Sequence, residues 1–168
     1  MFVIIILLPS GGCSNANITT NDDIEIYQLL IHYVYLEDNS FGKPVDIAYL
    51  YILKDTDDGI GDSRITKQPS QRITDEVMSG ISAKLSDLPL EVSWINGTNE
   101  VLNPSVSLTV EDGAIFTLGN IRYENGTKAY VSVSIYFAGL AASGRTYILE
   151  NGEGVWKIIG DTGQGWVS

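Results

Sequence analysis

The stretch Lys128-Ala-Tyr-Val-Ser-Val-Ser-Ile-Tyr-Phe-Ala138 decides the fold class of this chain. Apolar and hydroxyl-bearing residues alternate along it, and neither glycine nor proline interrupts them. Because successive side chains of a β-strand point to opposite faces of the sheet, the pattern predicts a strand with one face in the core and the other lined by tyrosines and serines. The predicted core face carries Val131, Val133, Ile135 and Phe137.

Turn signals surround this strand. From Leu90 to the C-terminus, short apolar runs are separated by Glu111-Asp-Gly113 and by the pairs Asn96-Gly97, Asn125-Gly126 and Asn151-Gly152. The two residues of a tight hairpin turn must accept a positive φ, which asparagine and glycine tolerate well. This half of the chain is therefore predicted to be an antiparallel meander.

Two amphipathic helices are predicted before the meander. The first has Asn21 as its N-cap, ends near residues 40–42 and places on one face Ile24, Tyr27, Ile31, Val34 and Tyr35. The second is indicated by the four-residue spacing of Ile73, Val77, Ile81 and Leu85. Between them, Val45–Leu53 predicts a strand covered on both faces. The predicted fold class is α+β, with two helices packed on one face of a curved, mostly antiparallel sheet, in a single domain over residues 22–168.

Composition limits the partners. The chain has 168 residues, 44% of them hydrophobic, and a net charge of -11, which suits one globular domain with a substantial core. Affinity for nucleic acid depends on Lys and Arg displacing counterions, so the acidity argues against a nucleic-acid partner. No motif calls for a cofactor.

The N-terminus has the order of an export signal. The apolar run Phe2–Leu8 precedes Pro9-Ser-Gly-Gly-Cys13, which resembles a lipobox, where a signal peptidase cleaves before a cysteine that is then lipidated. The expectation is a signal peptide over residues 1–12, lipidation at Cys13, a polar tether over residues 13–21, and a place in the cell envelope on the extracytoplasmic side of the membrane. Plain secretion and a buried N-terminal strand are the alternatives. Cys13 is the single cysteine, so no internal disulfide can form.

Two groups of residues are candidate binding sites. Carboxylates interleaved with glycine suit a hard cation such as calcium, and the loop Lys54–Pro69 offers Asp55, Asp57, Asp58 and Asp62. The alternative is a solvated acidic loop, since the spacing is not that of an EF-hand. The polar face of the long strand could hold a small ligand or a partner protein through Tyr130, Ser132, Ser134 and Tyr136, extended by Tyr147 and Trp156 on neighbouring strands. The alternative is that this face packs beneath a helix or the C-terminal tail.

Catalytic motifs are missing from the sequence. His32 is the single histidine and lies within the first predicted helix, where a structural role is the simpler interpretation. There is no Gly-x-Ser-x-Gly elbow and no Cys-His pair. No residue is therefore nominated as catalytic.

The last third of the chain carries a resemblance. The segments Tyr136–Glu150, Gly154–Gly163 and Trp166–Ser168 resemble the end of a group of exported hypothetical proteins, in which a Thr-Tyr-x-Leu-Glu strand precedes a Gly-x-Trp-Lys-Ile strand. The ending is also similar to the last strands of nuclear-transport-factor-like cone folds. The first resemblance implies export but no activity, and the second implies a fold that serves both enzymes and binding modules.

The leading functional hypothesis is a non-enzymatic envelope protein that binds a small ligand or a partner protein through the sheet face and the loop Lys54–Pro69. A rival is a small hydrolase or isomerase, whose pocket would bring together His32, Asp46 and several tyrosines. A third hypothesis is an inhibitor or immunity-like protein whose acidic loop blocks a basic active site.

Overall fold

A computed structural model describes residues 18–37, 47–103, 109–110, 112–138 and 141–168. Two helices pack against an open, mixed, mostly antiparallel sheet of seven strands, which confirms the predicted α+β class. Helix α1 spans Thr20–Leu36 and helix α2 spans Asp75–Lys84. The proposed lipidation site Cys13 and the carboxylate Asp46 lie outside the described residues.

Helix α1 begins earlier than predicted. Thr19, rather than Asn21, is the N-cap: the Asp22 amide donates to its Oγ1, and the Asp22 carboxylate accepts from its backbone amide at 2.7 Å. This reciprocal pair is a capping box, which satisfies amide groups that have no partner within the helix. The helix therefore starts inside the segment predicted to be a tether.

The sheet is built from strands on both sides of α2. Strand β1 is Tyr49–Leu53, β2 is Glu91–Ile95, β5 is Gly113–Leu118, β6 is Arg122–Glu124, β7 is Lys128–Ala138, β8 is Ala141–Gly152 and β9 is Val155–Val167. Their order is β2-β1-β5-β7-β8-β9, with β6 also paired to β7. Strands β3, Leu102–Asn103, and β4, Thr109–Val110, form a separate antiparallel pair.

The predicted meander is correct for its last strands and wrong for its first. Strands β5, β7, β8 and β9 are antiparallel neighbours, and Asn125-Gly126 forms a turn with φ of 54° and 69°. Strand β2, in contrast, pairs with β1 in parallel, so the chain crosses over through α2 instead of forming a hairpin. Asn96-Gly97 leads into a short 3-10 turn, Thr98–Glu100, and the last hairpin turns at Glu153-Gly154, two residues beyond the predicted pair.

The two faces of the sheet are covered differently. The helix face holds one large apolar core, in which the fully buried residues include Ile26, Leu30, Leu50, Phe116 and Leu149. The opposite face has a small apolar cluster of Ile95, Val110 and Ile115 near β3 and β4. That second face also includes the polar side of β7, where the predicted ligand site lies.

Candidate functional site

The polar face of β7 is covered by the loop after β1. The antiparallel bridge between Asp55 and Arg72 brings the two ends of this loop together. Inside the bridge, the Thr56 amide donates to the Gln71 carbonyl at 2.8 Å. We call the enclosed residues, 57–70, the strap. Its two ends lie close together, as in an Ω-loop, which is a compact surface loop packed by its own side chains.

The strap docks through directional polar contacts. The Asp62 amide donates to Thr146 Oγ1 at 2.9 Å, and Thr146 Oγ1 lies 2.8 Å from Ser132 Oγ. The Trp166 indole N–H donates to the Ile60 carbonyl at 2.8 Å. A Cβ at Gly61 would overlap both hydroxyls, so glycine lets the strap lie flat on the sheet.

The strap therefore occupies the predicted ligand site. Ser132 and Ser134 are 8% and 7% exposed, and neither serine is open to a ligand of useful size. Of the two tyrosines, Tyr130 donates to Glu124 Oε2 at 3.1 Å, and Tyr136 packs against the small apolar cluster. The covering element is the strap together with Trp166 of the last strand.

The predicted extension of that site to Tyr147 and Trp156 is wrong. Tyr147 lies opposite Val131 in the β7–β8 register, which places it on the helix face, where its ring meets that of Tyr33 edge-on at 5.6 Å. Trp156 is 3% exposed and belongs to the helix-face core. Its indole N–H donates to Asp22 at 2.8 Å.

The structure does not bring the four carboxylates of the predicted calcium site together. Three of them have separate partners within the chain: Asp55 pairs with Arg72 at 3.4 Å, Asp57 accepts from the Gly59 amide at 2.6 Å, and Asp58 accepts from the amides of Asn120 at 2.7 Å and Gln68 at 2.9 Å. Within the described ranges, no three His, Cys, Asp or Glu side chains are grouped so as to hold a metal ion.

Asp62 is the most strongly engaged of the four. Its carboxylate accepts from the Arg64 guanidinium at 2.7 Å, and Arg64 also donates to the Thr162 carbonyl at 3.0 Å. The Arg64 side chain holds the pKa of the Asp62 carboxyl well below its ordinary value. The Arg64 hydrogen bond to Thr162 joins the strap to β9, and the ion pair with Asp62 holds the guanidinium in position for it.

His32 is separated from these groups. Its Nε2 lies 3.5 Å from Asp87 Oδ1, and it lines a shallow cavity of about 260 Å³ beside Tyr33 and Trp156. Of the tyrosines that the structure describes, Tyr33 alone lines this cavity with His32, and Asp46 is outside the described residues.

Another cavity lies where α1, α2 and the strap meet. Its volume is about 230 Å³. Asp23 and Tyr27 reach it from the start of α1, Val77 from the start of α2, and Gln68 from the returning end of the strap. Tyr123, on β6, closes a further side. Four separate parts of the chain thus converge on one small space.

Polar groups in this cavity are held in place by hydrogen bonds. The Tyr123 hydroxyl donates to Asp23 Oδ1 at 2.6 Å, and the Tyr27 hydroxyl donates to the Gly119 carbonyl at 3.0 Å. Asn120 Oδ1 accepts from the Thr56 hydroxyl at 2.8 Å. Preorganised polar groups in a partly apolar concave space are the usual composition of a small-molecule site.

Burial shifts the pKa values of the acidic groups in the cavity. It raises the pKa of the Asp23 carboxyl, against the opposing effect of the Tyr123 hydrogen bond. Burial, followed by the hydrogen bond to Asp23, raises the pKa of the Tyr123 hydroxyl far above its ordinary value, and burial does the same to Tyr27. A half-buried carboxyl with a shifted pKa in a cleft is a marker of functional sites.

Sequence reasoning missed this cavity. The sequence places Tyr27 on the apolar face of the first helix, and no motif points to Asp23. Asp23 and Tyr123 are 100 positions apart, and no spacing rule connects them. Their pairing could have been found only from the sheet topology, which places β6 beside the start of α1.

Comparisons with family models, with curated proteins and with solved structures find no significant match to this chain. Across the described residues, neither helix combines the length and the apolar character that a membrane crossing requires.

Proposed function

We propose that this protein is a binding protein for a small polar ligand, which occupies the cavity between Asp23, Tyr27 and Tyr123. The observation that carries the proposal is the convergence of these three side chains, from α1 and β6, on a space of about 230 Å³. For its location we keep the expectation drawn from Phe2–Leu8 and Cys13, a lipid-anchored protein of the cell envelope. Intact mass from native membranes tests that location, since a chain that retains Met1 would contradict it.

The size of the cavity restricts the ligand. Pockets for drug-sized molecules span roughly 300–1,000 Å³, so a cavity of about 230 Å³ suits a smaller molecule. A carboxylate acceptor at Asp23 and a net charge of -11 favour ligands that donate hydrogen bonds, such as amines and alcohols, over anions. The fixed hydrogen bonds of Tyr27 and Asn120 reduce the entropy cost of ordering the site on binding.

Catalysis in the same cavity is the second candidate function. The observation that favours it is the Asp23–Tyr123 pair, a carboxyl of raised pKa at 2.6 Å from a hydroxyl. Such a pair can exchange a proton with a bound molecule. The inhibitor hypothesis has less support, because the carboxylates of the strap are engaged within the chain.

Ligand-observed NMR with ethanolamine, glycerol and glycolate as probes tests the proposal. We expect saturation transfer to ethanolamine and glycerol and little to glycolate. Asp23→Asn and Tyr123→Phe should weaken the affinity for ethanolamine about ten-fold, because a hydrogen bond to a charged group contributes roughly 1.5–3 kcal/mol. Tyr130→Phe, on the opposite face, is the matched control and should change nothing.

Two results would decide against the binding proposal. If glycolate binds as well as ethanolamine, or if Tyr130→Phe has the same effect as Tyr123→Phe, the cavity is not the site. New resonances that grow with time from a bound probe, and that disappear in Asp23→Asn, would favour the catalytic alternative.

A further inference from the structure

A second candidate site lies on the opposite face of the sheet, at β1. Tyr49 and Tyr51 alternate along this strand and therefore share one face. Their rings stack at a centroid distance of 6.0 Å and an angle of 15° between planes. Tyr49 is 37% exposed, whereas Leu50 and Ile52, on the other face of the same strand, are fully buried. The strand thus presents an aromatic surface to solvent.

The tyrosine pair forms one wall of a surface cavity. This cavity has a volume of about 420 Å³, and its other walls are Glu100, Val101 and Asp112. Glu91 lies beside Tyr49 in the parallel register of β1 and β2. Two carboxylates therefore line the cavity with the aromatic rings, and a third, that of Glu91, belongs to the residue beside Tyr49.

These carboxylates are only partly engaged. Glu100 accepts from the Asn96 amide and side chain at 3.1 and 3.0 Å. Among the described residues, neither Glu91 nor Asp112 forms an ion pair. Burial, together with the nearby Tyr49 and Glu91, raises the pKa of Tyr51, as expected where the local potential is negative.

The backbone makes room for this arrangement. A Cβ at Gly113 would lie 2.9 Å from both the Tyr49 carbonyl oxygen and an edge carbon of the Tyr51 ring. Real Cβ atoms do not approach so closely, so a glycine at this position lets the Tyr51 ring lie over β5. The aromatic pair is therefore positioned by the sheet.

We propose that the cavity lined by Tyr49, Tyr51, Glu100 and Asp112, with Glu91 beside it on β2, binds a methylated ammonium cation. The negative face of an aromatic ring attracts a cation, and the attraction is strongest for cations that lose little hydration, such as quaternary ammonium groups. Carboxylates at the rim add a charge attraction that does not depend on direction. Because this site is separate from the cavity at Asp23, the proposal stands whether or not that cavity binds a ligand.

A titration with tetramethylammonium chloride, followed by the NMR signals of the protein, tests this site. Potassium chloride at the same ionic strength is the comparison. We expect saturable shifts at Tyr49 and Tyr51 with tetramethylammonium and none with potassium. Tyr49→Leu should weaken binding about two- to five-fold, and Tyr49→Trp should strengthen it, because indole is the best cation-π partner.

Two further variants separate the aromatic contribution from general acidity. Glu91→Gln should weaken tetramethylammonium binding, while Tyr130→Leu should not, since Lys128 Nζ already lies 5.2 Å from the centre of the Tyr130 ring. Because Tyr49 is exposed, its substitution should not unfold the protein. A change in tetramethylammonium binding by these variants therefore reports on the site itself. Equal shifts with potassium, or equal affinities for Tyr49→Leu and Tyr49→Trp, would overturn the proposal and leave only an acidic surface.

Discussion

The two faces of the sheet are held by different forces. On the helix face, α1 and α2 bury aliphatic and aromatic side chains, and contacts such as those of Phe116 have no required direction. On the other face, the strap is held by named hydrogen bonds between Asp62 and Thr146, between Ile60 and Trp166, and between Arg64 and Thr162. The first face is covered by the hydrophobic core, and the second is covered by a docked loop.

This difference changes how an alternating strand should be interpreted. The serines and tyrosines of β7 looked like a surface for a ligand, because polar residues on one face of a strand usually contact solvent. Here a segment of the same chain satisfies the hydroxyl of Ser132 through Thr146 and the strap. A polar strand face therefore indicates polar contacts, and the groups that make them can belong to another segment of the same chain.

The largest expected effect belongs to the helix face. Phe116 is fully buried at the centre of the core, and Phe116→Ala should lower the free energy of unfolding by about 3–5 kcal/mol, since it removes contacts and leaves a cavity. Urea unfolding measures this. Val155→Ala, at a half-exposed position, is the control and should remain within about 0.5 kcal/mol of the parent. A loss of under about 1 kcal/mol for Phe116→Ala would contradict the assignment of this face as the main core.

A smaller effect is expected where the strap crosses β8. A Cβ at Gly144 would overlap the Ile60 carbonyl oxygen and approach the Trp166 indole nitrogen to 2.5 Å. Gly144→Ala should therefore lift the strap and lower stability by about 1–3 kcal/mol, the usual result of overpacking. Limited trypsin digestion should show faster cleavage at Arg64 and Lys67, within the strap.

Gly152→Ala is the matched control for that experiment. Gly152 lies in the same strand, and a Cβ there would meet nothing within 4 Å. It should leave both the stability and the cleavage rate of the strap unchanged. If the two glycine variants behave alike, the strap is not held against β8 in solution and the distinction between the two faces is lost.

Local signals explain how much of the fold could be predicted. The alternation at Lys128–Ala138 and the periodicity from Ile73 to Leu85 each depend on neighbouring residues, and both elements were found. The parallel pairing of β1 with β2 was missed, because Asn96-Gly97 has the sequence of a hairpin turn but no positive φ. Pairing between strands about 40 residues apart is decided by packing around α2, which no short window reports.

The candidate sites were less predictable for the same reason. The contact of Asp62 with Thr146 spans 84 positions, and that of Asp23 with Tyr123 spans 100. Composition drew attention to the acidic loop and to the tyrosines of β7, yet it could not indicate that the loop covers the serines. Two tyrosines at alternate positions of a strand share a face on sequence grounds alone, so the Tyr49–Tyr51 pair could have been found. The prediction that this strand is covered on both faces is wrong, because Tyr49 is 37% exposed.

The smallest of the three expected effects is a dependence of stability on pH. It should arise from the ion pair on the strap face and not from the apolar contacts on the helix face. Arg64 lowers the pKa of Asp62 below the ordinary value of 3.8, so the ionised pair contributes stability above that pH and loses it as the pH falls through the lower pKa of the folded state. Asp62→Asn should therefore be less stable than the parent at pH 7 and 5, with a difference that shrinks below pH 3.8. Arg64→Gln removes the same ion pair and also the hydrogen bond to Thr162, so the double variant should be little less stable than Arg64→Gln alone. Ile135→Val, on the helix face, should cost about 0.5–1.5 kcal/mol at every pH. A loss of stability in Asp62→Asn that does not vary with pH would mean that the Asp62 side chain acts by packing. The strap would then be held by the same kind of contact as the helix-face core.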